Sequence, residues 1–127
     1  MSDWILIVDD DAMNIRFAGT ILSKEGYRAA GMKSGSKLLD YVRKNGAPAL
    51  VLLDILMPDM DGYETYEALR NLEKEMGLPT IPVAFLSAEE SPETKERCEN
   101  MGAFAFVKKP LNGEDLIAVV KRVVTKE

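Results

Sequence analysis

The chain has 127 residues, the size of one ordinary domain, with 46% hydrophobic residues, 29% charged residues and a net charge of −5. That balance excludes a disordered tail and, for want of clustered basic residues, a direct nucleic-acid binder. It has no apolar run near the roughly 20 residues of a bilayer span and no signal-like start in "MSDW", so a cytoplasmic protein with no membrane partner is expected.

The first element is the apolar run "WILIV" (4–8), which reads as a strand buried on both faces. It is followed by three consecutive carboxylates, Asp9, Asp10 and Asp11, and then by a helix over 12–25. In that helix Ile15, Ala18, Ile21 and Leu22 recur at helical spacing, and Gly26 ends it. A poorer strand near 28–32, "RAAGM", suits a sheet edge. A helix marked by Leu38, Leu39 and Val42 closes at Gly46. A strand at 49–53, "ALVLL", precedes a helix marked by Tyr66, Leu69, Leu72 and Met76 that closes at Gly77. Then come a strand at 81–86, "IPVAFL", a weak helix at 92–101 opened by Pro92, a strand at 103–107, "AFAFV", and a last helix at 112–125. Strand and helix alternate five times, which predicts an α/β doubly wound (βα)5 sandwich of flavodoxin-like type, with a parallel five-stranded sheet in the order 2-1-3-4-5. Nothing in 1–127 reads as a linker or repeat, so a single domain is expected.

Ligands of such a sheet gather at the carboxyl ends of its strands. Asp9 and Asp10 follow the first strand, Asp54 ends the third, Ser87 the fourth, and Lys109 follows the fifth. Each residue alone has an ordinary structural reading: a turn aspartate, a capping serine, a solvated lysine. Together they place carboxylates, a hydroxyl and an ammonium on one rim. Clustered carboxylates resist joint ionisation unless a cation neutralises them, and oxygen donors select a hard ion such as Mg²⁺. Because Mg²⁺ binds through few carboxylates plus phosphate oxygens, the set suits a phosphoryl group. The chain contains no histidine, which removes histidine triads and histidine metal sites. The lone Cys98 reads as a helix packing position without a catalytic role, and Asp11 as a helix cap.

"ILIVDDD", "VLLDILMPDMDG", "FLSA" and "VKKP", in this order, resemble the receiver domain of two-component response regulators over essentially the whole chain. The resemblance implies that Asp54 accepts the phosphoryl group and that Asp10 binds Mg²⁺ directly. It implies that Asp9 assists as a metal residue and that the backbone carbonyl of Leu56 is a further ligand. Ser87 and Lys109 then contact the phosphoryl oxygens, Ser87 and Phe106 form the switch, and Pro110 follows a peptide bond that is often cis. The implied phosphoryl donor is a phosphohistidine on a sensor histidine kinase or histidine phosphotransfer protein. The implied output is a downstream target bound through the 92–126 face. Such a domain is a signalling module rather than an enzyme. The rival reading is a magnesium-dependent aspartyl-phosphate phosphohydrolase. It would place Asp-x-Asp after the first strand, where this chain has an adjacent pair. Whether the domain works alone or within a longer regulator or hybrid kinase stays open.

Overall fold

A computed structural model describes residues 3–124. Among these, five strands alternate with five helices: β1 (Trp4–Val8), α1 (Ala12–Lys24), β2 (Arg28–Met32), α2 (Gly35–Asn45), β3 (Leu50–Asp54), α3 (Gly62–Met76), β4 (Val83–Ser87), α4 (Pro92–Met101), β5 (Ala105–Lys108) and α5 (Gly113–Lys121). The strands are parallel in the order β2-β1-β3-β4-β5, as the alternation predicts.

Strand side chains alternate between faces, and the core divides accordingly. Leu6, Val8, Val51, Leu53, Val83 and Phe85 face α2, α3 and α4. Ile5, Ile7, Leu50, Leu52, Ala84 and Leu86 face α1 and α5. Burying such a side chain stabilises by about 1.5–3 kcal/mol, which is why continuous apolar runs settle in the two-sided middle of the sheet. β3 and β4 are buried along their whole length, whereas β2 has exposed positions, as expected of an edge.

Three strand boundaries differ from the sequence pattern, each for a local reason. The run 81–86 enters the sheet only at Val83: Pro82 has no N–H, and the Ile81 N–H donates to Glu73 Oε2 at 2.7 Å instead of to a strand. The third strand extends to Asp54, so the acidic residue is itself part of the ladder. The fifth runs from Ala105 to Lys108 rather than over 103–107. The last helix ends at Lys121, with Val124 still buried beyond it, and residue 125 lies outside the described residues. Met76 is 39% exposed and does not belong to the core face of α3.

The two ends of the sheet are built differently. At the carboxyl ends every helix starts on a polar cap: Asp11, Ser34, Asp61, Ser91 and Asn112 accept from backbone N–H groups. At the opposite end the chain turns on Gly26, Gly46, Gly77 and Gly102, all with positive φ, which glycine adopts without a Cβ clash.

Candidate functional site

Register builds the site. Val8 pairs with Leu53, so the residue after β1, Asp9, comes level with Asp54; Asp54 pairs with Leu86 and Ser87 with Lys108. The backbone N–H of Asp9 extends the β1–β2 ladder to the Met32 carbonyl, and that of Lys109 reaches the Ser87 carbonyl. The Lys109-Pro110 peptide is cis. Four connections therefore converge on one rim, and one carboxylate oxygen from each of Asp9, Asp10 and Asp54 lies within 4.8 Å of the others.

Lys109 bridges two of these acids: its Nζ lies 2.8 Å from Asp9 Oδ2 and 3.0 Å from Asp54 Oδ1. Asp9 is fully buried, Asp54 nearly so, and Asp10 is exposed. Burial drives the Asp54 carboxyl up from 3.8 to about 6; the Lys109 hydrogen bond pulls the other way, and the charges of Asp9 and Asp10 push it further up. For Lys109, burial favours the neutral amine, but the hydrogen bonds to Asp9 and Asp54 outweigh it and hold the pKa above the lysine value. One ammonium therefore does not neutralise the cluster, and Asp54 stays ionised at neutral pH against the cost of its surroundings.

The donor set fits Mg²⁺ on chemistry: all-oxygen ligands, more negative charge than the lysine offsets, and one acid, Asp10, open to solvent. Leu56 follows the buried Ile55, two positions beyond the end of β3, and is 71% exposed. The connection to α3 is shaped to let that helix approach β3. At Asp59, with φ 68, the Met60 N–H donates back to the Pro58 carbonyl at 2.8 Å, a tight γ-turn. A Cβ on Gly62 would come within 2.7 Å of Ile55 Cα and closer still to the Asp54 carbonyl, so only glycine fits.

The other sequence-predicted residues are near but differently engaged. The Ser87 hydroxyl turns back on its own loop, donating to the Glu89 carbonyl at 3.1 Å and accepting from the Glu89 N–H at 3.0 Å. The helix cap there is Ser91, not Ser87. Phe106 lies half-buried on the edge strand against the α4 side of the core, with the Lys95 ammonium 5.9 Å from its ring centre. Cys98 is buried, as a packing residue should be, and Asp11 caps α1.

Asn14 escaped the sequence reading: its Nδ2 donates to Asp9 Oδ2 at 3.2 Å. Its signal was faint, an asparagine in a first helical turn, where that residue is a weak helix former. A second pair was missed as well: Glu73 is buried and meets the half-buried Arg70 at Nη1, 2.6 Å away.

The profile of the family described as the response regulator receiver domain matches residues 5–121. Hybrid signal transduction histidine kinase M of Dictyostelium discoideum is 33% identical over 121 residues, 94% of this chain and 5% of that protein. The chain thus spans a small fraction of the hybrid kinases it matches. Two-component response regulator ORR3 of Oryza sativa subsp. japonica is 29% identical over 96% of this chain and 91% of its own length. The structure of chemotaxis protein CheY4 of Vibrio cholerae is similar over 98% of this chain and all of that one, at TM-score 0.84 and 27% identity. A CheY-like receiver from Methanospirillum hungatei JF-1 superposes at TM-score 0.80 with 30% identity, over 96% and 93% of the two chains.

Proposed function

We propose, from the premise that this chain belongs to the response regulator receiver domain family, that Asp54 is its phosphoryl acceptor and that residues 1–127 act as one receiver domain. The carrying observation is the double ion pair of Lys109 with the buried Asp9 and Asp54 at the carboxyl end of the central strands. The phosphohydrolase alternative has no support from the family match or the fold neighbours.

Asp54 supplies the nucleophile. One of its oxygens forms a bond to phosphorus as the bond from phosphorus to the donor imidazole nitrogen breaks; that nitrogen keeps the electron pair and takes a proton. Asp10, Asp54 and the Leu56 carbonyl, with Asp9 beside them, would hold Mg²⁺, which would supply neutralising charge for the transferring phosphoryl oxygens. Lys109 orients one phosphoryl oxygen once it leaves the acids. Ser87 reaches another by releasing its bonds to Glu89, which draws the β4–α4 connection toward the site. Phe106 turns into the space this movement opens.

The donor is a phosphohistidine on a sensor histidine kinase or histidine phosphotransfer protein. Met13, Phe17 and Leu56, 70%, 45% and 71% exposed, give its helices an apolar rim beside the acids. The target binds the 92–126 face, where a groove of about 530 Å³ is lined by Cys98, Phe106, Ala118 and Val119; residues 125 and 126 of that face lie outside the described ones. No helix among the described residues is long and apolar enough to cross a membrane. A cytoplasmic site of action suits the reduced, buried Cys98.

Incubation with phosphoramidate and Mg²⁺ tests the reading. Intact-mass spectrometry is expected to show one added phosphoryl group on the parent and none on Asp54→Asn. Equal labelling of the two proteins refutes the assignment.

A further inference from the structure

Asp9 combines full burial with a complete set of donors. Its Oδ1 accepts from the Asp11 N–H at 2.9 Å, and its Oδ2 accepts from Lys109 Nζ at 2.8 Å and from Asn14 Nδ2 at 3.2 Å. An ionised carboxylate only accepts, so the amide nitrogen of Asn14, and not its oxygen, must face it. Asn14 is thus the second side chain on the very oxygen that Lys109 holds. It sits three residues after the Asp11 cap, on the turn of α1 that overhangs the acids.

We propose that Asn14 is a positioning residue of the acceptor site: by donating to Asp9 Oδ2, it frees Lys109 to leave that oxygen for a phosphoryl group on Asp54. The inference rests on the reading of Asp54 as acceptor. Lys109 cannot serve the phosphoryl group fully while it bridges Asp9 and Asp54, since one ammonium has a limited number of protons and one direction of approach. Were it the only side chain on Asp9 Oδ2, its departure would strand a buried carboxylate oxygen, a penalty that opposes the switch. With Asn14 in place the oxygen keeps a donor throughout. Lys109 then exchanges one anionic partner for another instead of abandoning a buried charge. Asn14 makes no hydrogen bond to Asp54; it acts through Asp9 and Lys109.

The test uses beryllofluoride, a stable mimic of the phosphoryl group on an aspartate, so that binding is read without turnover. Affinity for beryllofluoride at saturating Mg²⁺, and for Mg²⁺ alone, is measured for the parent, Asn14→Leu, Asn14→Ala and Asn14→His. In the histidine variant Nδ1–H stands where the amide nitrogen was. Leu and Ala are each expected to weaken beryllofluoride binding about tenfold, the scale of one hydrogen bond to a charged group, with His restoring most of the loss. Mg²⁺ affinity is expected to change by less than about threefold, because Asn14 hydrogen-bonds to neither Asp10 nor Asp54. Equal beryllofluoride affinity in all four proteins overturns the inference, and so does a parallel loss of Mg²⁺ and beryllofluoride binding that His fails to repair. If Asp54→Asn binds beryllofluoride as well as the parent, the acceptor reading itself falls.

Discussion

At the scale of single residues, the charge on Asp54 is held against the preference of its surroundings. Folding raises its pKa from 3.8 to about 6, so the folded state favours the protonated form. The stability this gives is complete below pH 3.8 and is lost as pH rises through 6. Asp54→Asn removes the ionisation. Without Mg²⁺ it should therefore be more stable than the parent above pH 6, by on the order of 1–2 kcal/mol, since the amide also forfeits the ion pair with Lys109. Towards pH 4 the gain should vanish; denaturant midpoints of the two proteins across that range check it, and a gain independent of pH counts against the assignment. Leu56, two positions after Asp54 and open to solvent, bears on a different property of the proposed acceptor. Hydrolysis of the acyl phosphate needs a water held in line, which an amide can orient and a leucine can only crowd. Leu56→Asn should shorten the phosphorylated lifetime, and a factor of ten would need only about 1.4 kcal/mol of barrier. Decay measured at saturating Mg²⁺ decides, and an equal or longer lifetime rules the role out.

At the scale of elements, strands and helices were legible because each carries a simple period, but what joins them was not. Continuous apolar runs marked β1, β3 and β4, and the polar residue ending each run marked the rim, so Asp9, Asp54, Ser87 and Lys109 could be read together. The start of β4 could not. It depends on a carboxylate eight residues upstream, Glu73, which takes the Ile81 N–H and the Arg70 guanidinium, while Arg70 Nη2 donates to the Tyr66 hydroxyl. Asn14 was hidden for the same reason, since its partner lies across a turn and not along the helix. Glu73→Leu would leave the Ile81 N–H and Arg70 without their acceptor and should cost about 2–3 kcal/mol; Glu73→Gln, which still accepts, should cost less. Chemical denaturation of both variants tests the order. The edge strand has its own constraint: a Cβ at Gly31 would drive into Ile15 of α1. Gly31→Ala is expected to lower stability by about 1–3 kcal/mol through overpacking, and an unchanged midpoint would mean that α1 shifts freely.

At the scale of the whole molecule, parallel order and right-handed crossovers carry every strand end to one side, so a single sequence assembles the site from four distant segments. The capped and glycine-turned ends also divide the chain between two kinds of inheritance. Lengths at the capped end matter to the proposed function, because a residue added next to Asp9, Asp54, Ser87 or Lys109 displaces a side chain of the proposed site. At the glycine end, apart from the Glu73 anchor on the Ile81 N–H, they are fixed mainly by the need to reverse direction. That end is where new sequence could be accepted at the least cost to the proposed site. An eight-residue Gly/Ser insertion between the exposed Pro79 and Thr80 should leave phosphorylation by phosphoramidate within about twofold of the parent, since flexible surface loops lengthen at little cost. The same insertion between Ala88 and Glu89 should abolish the Ser87 response. Comparable losses at the two positions would show that the far end is not the neutral ground its turns suggest.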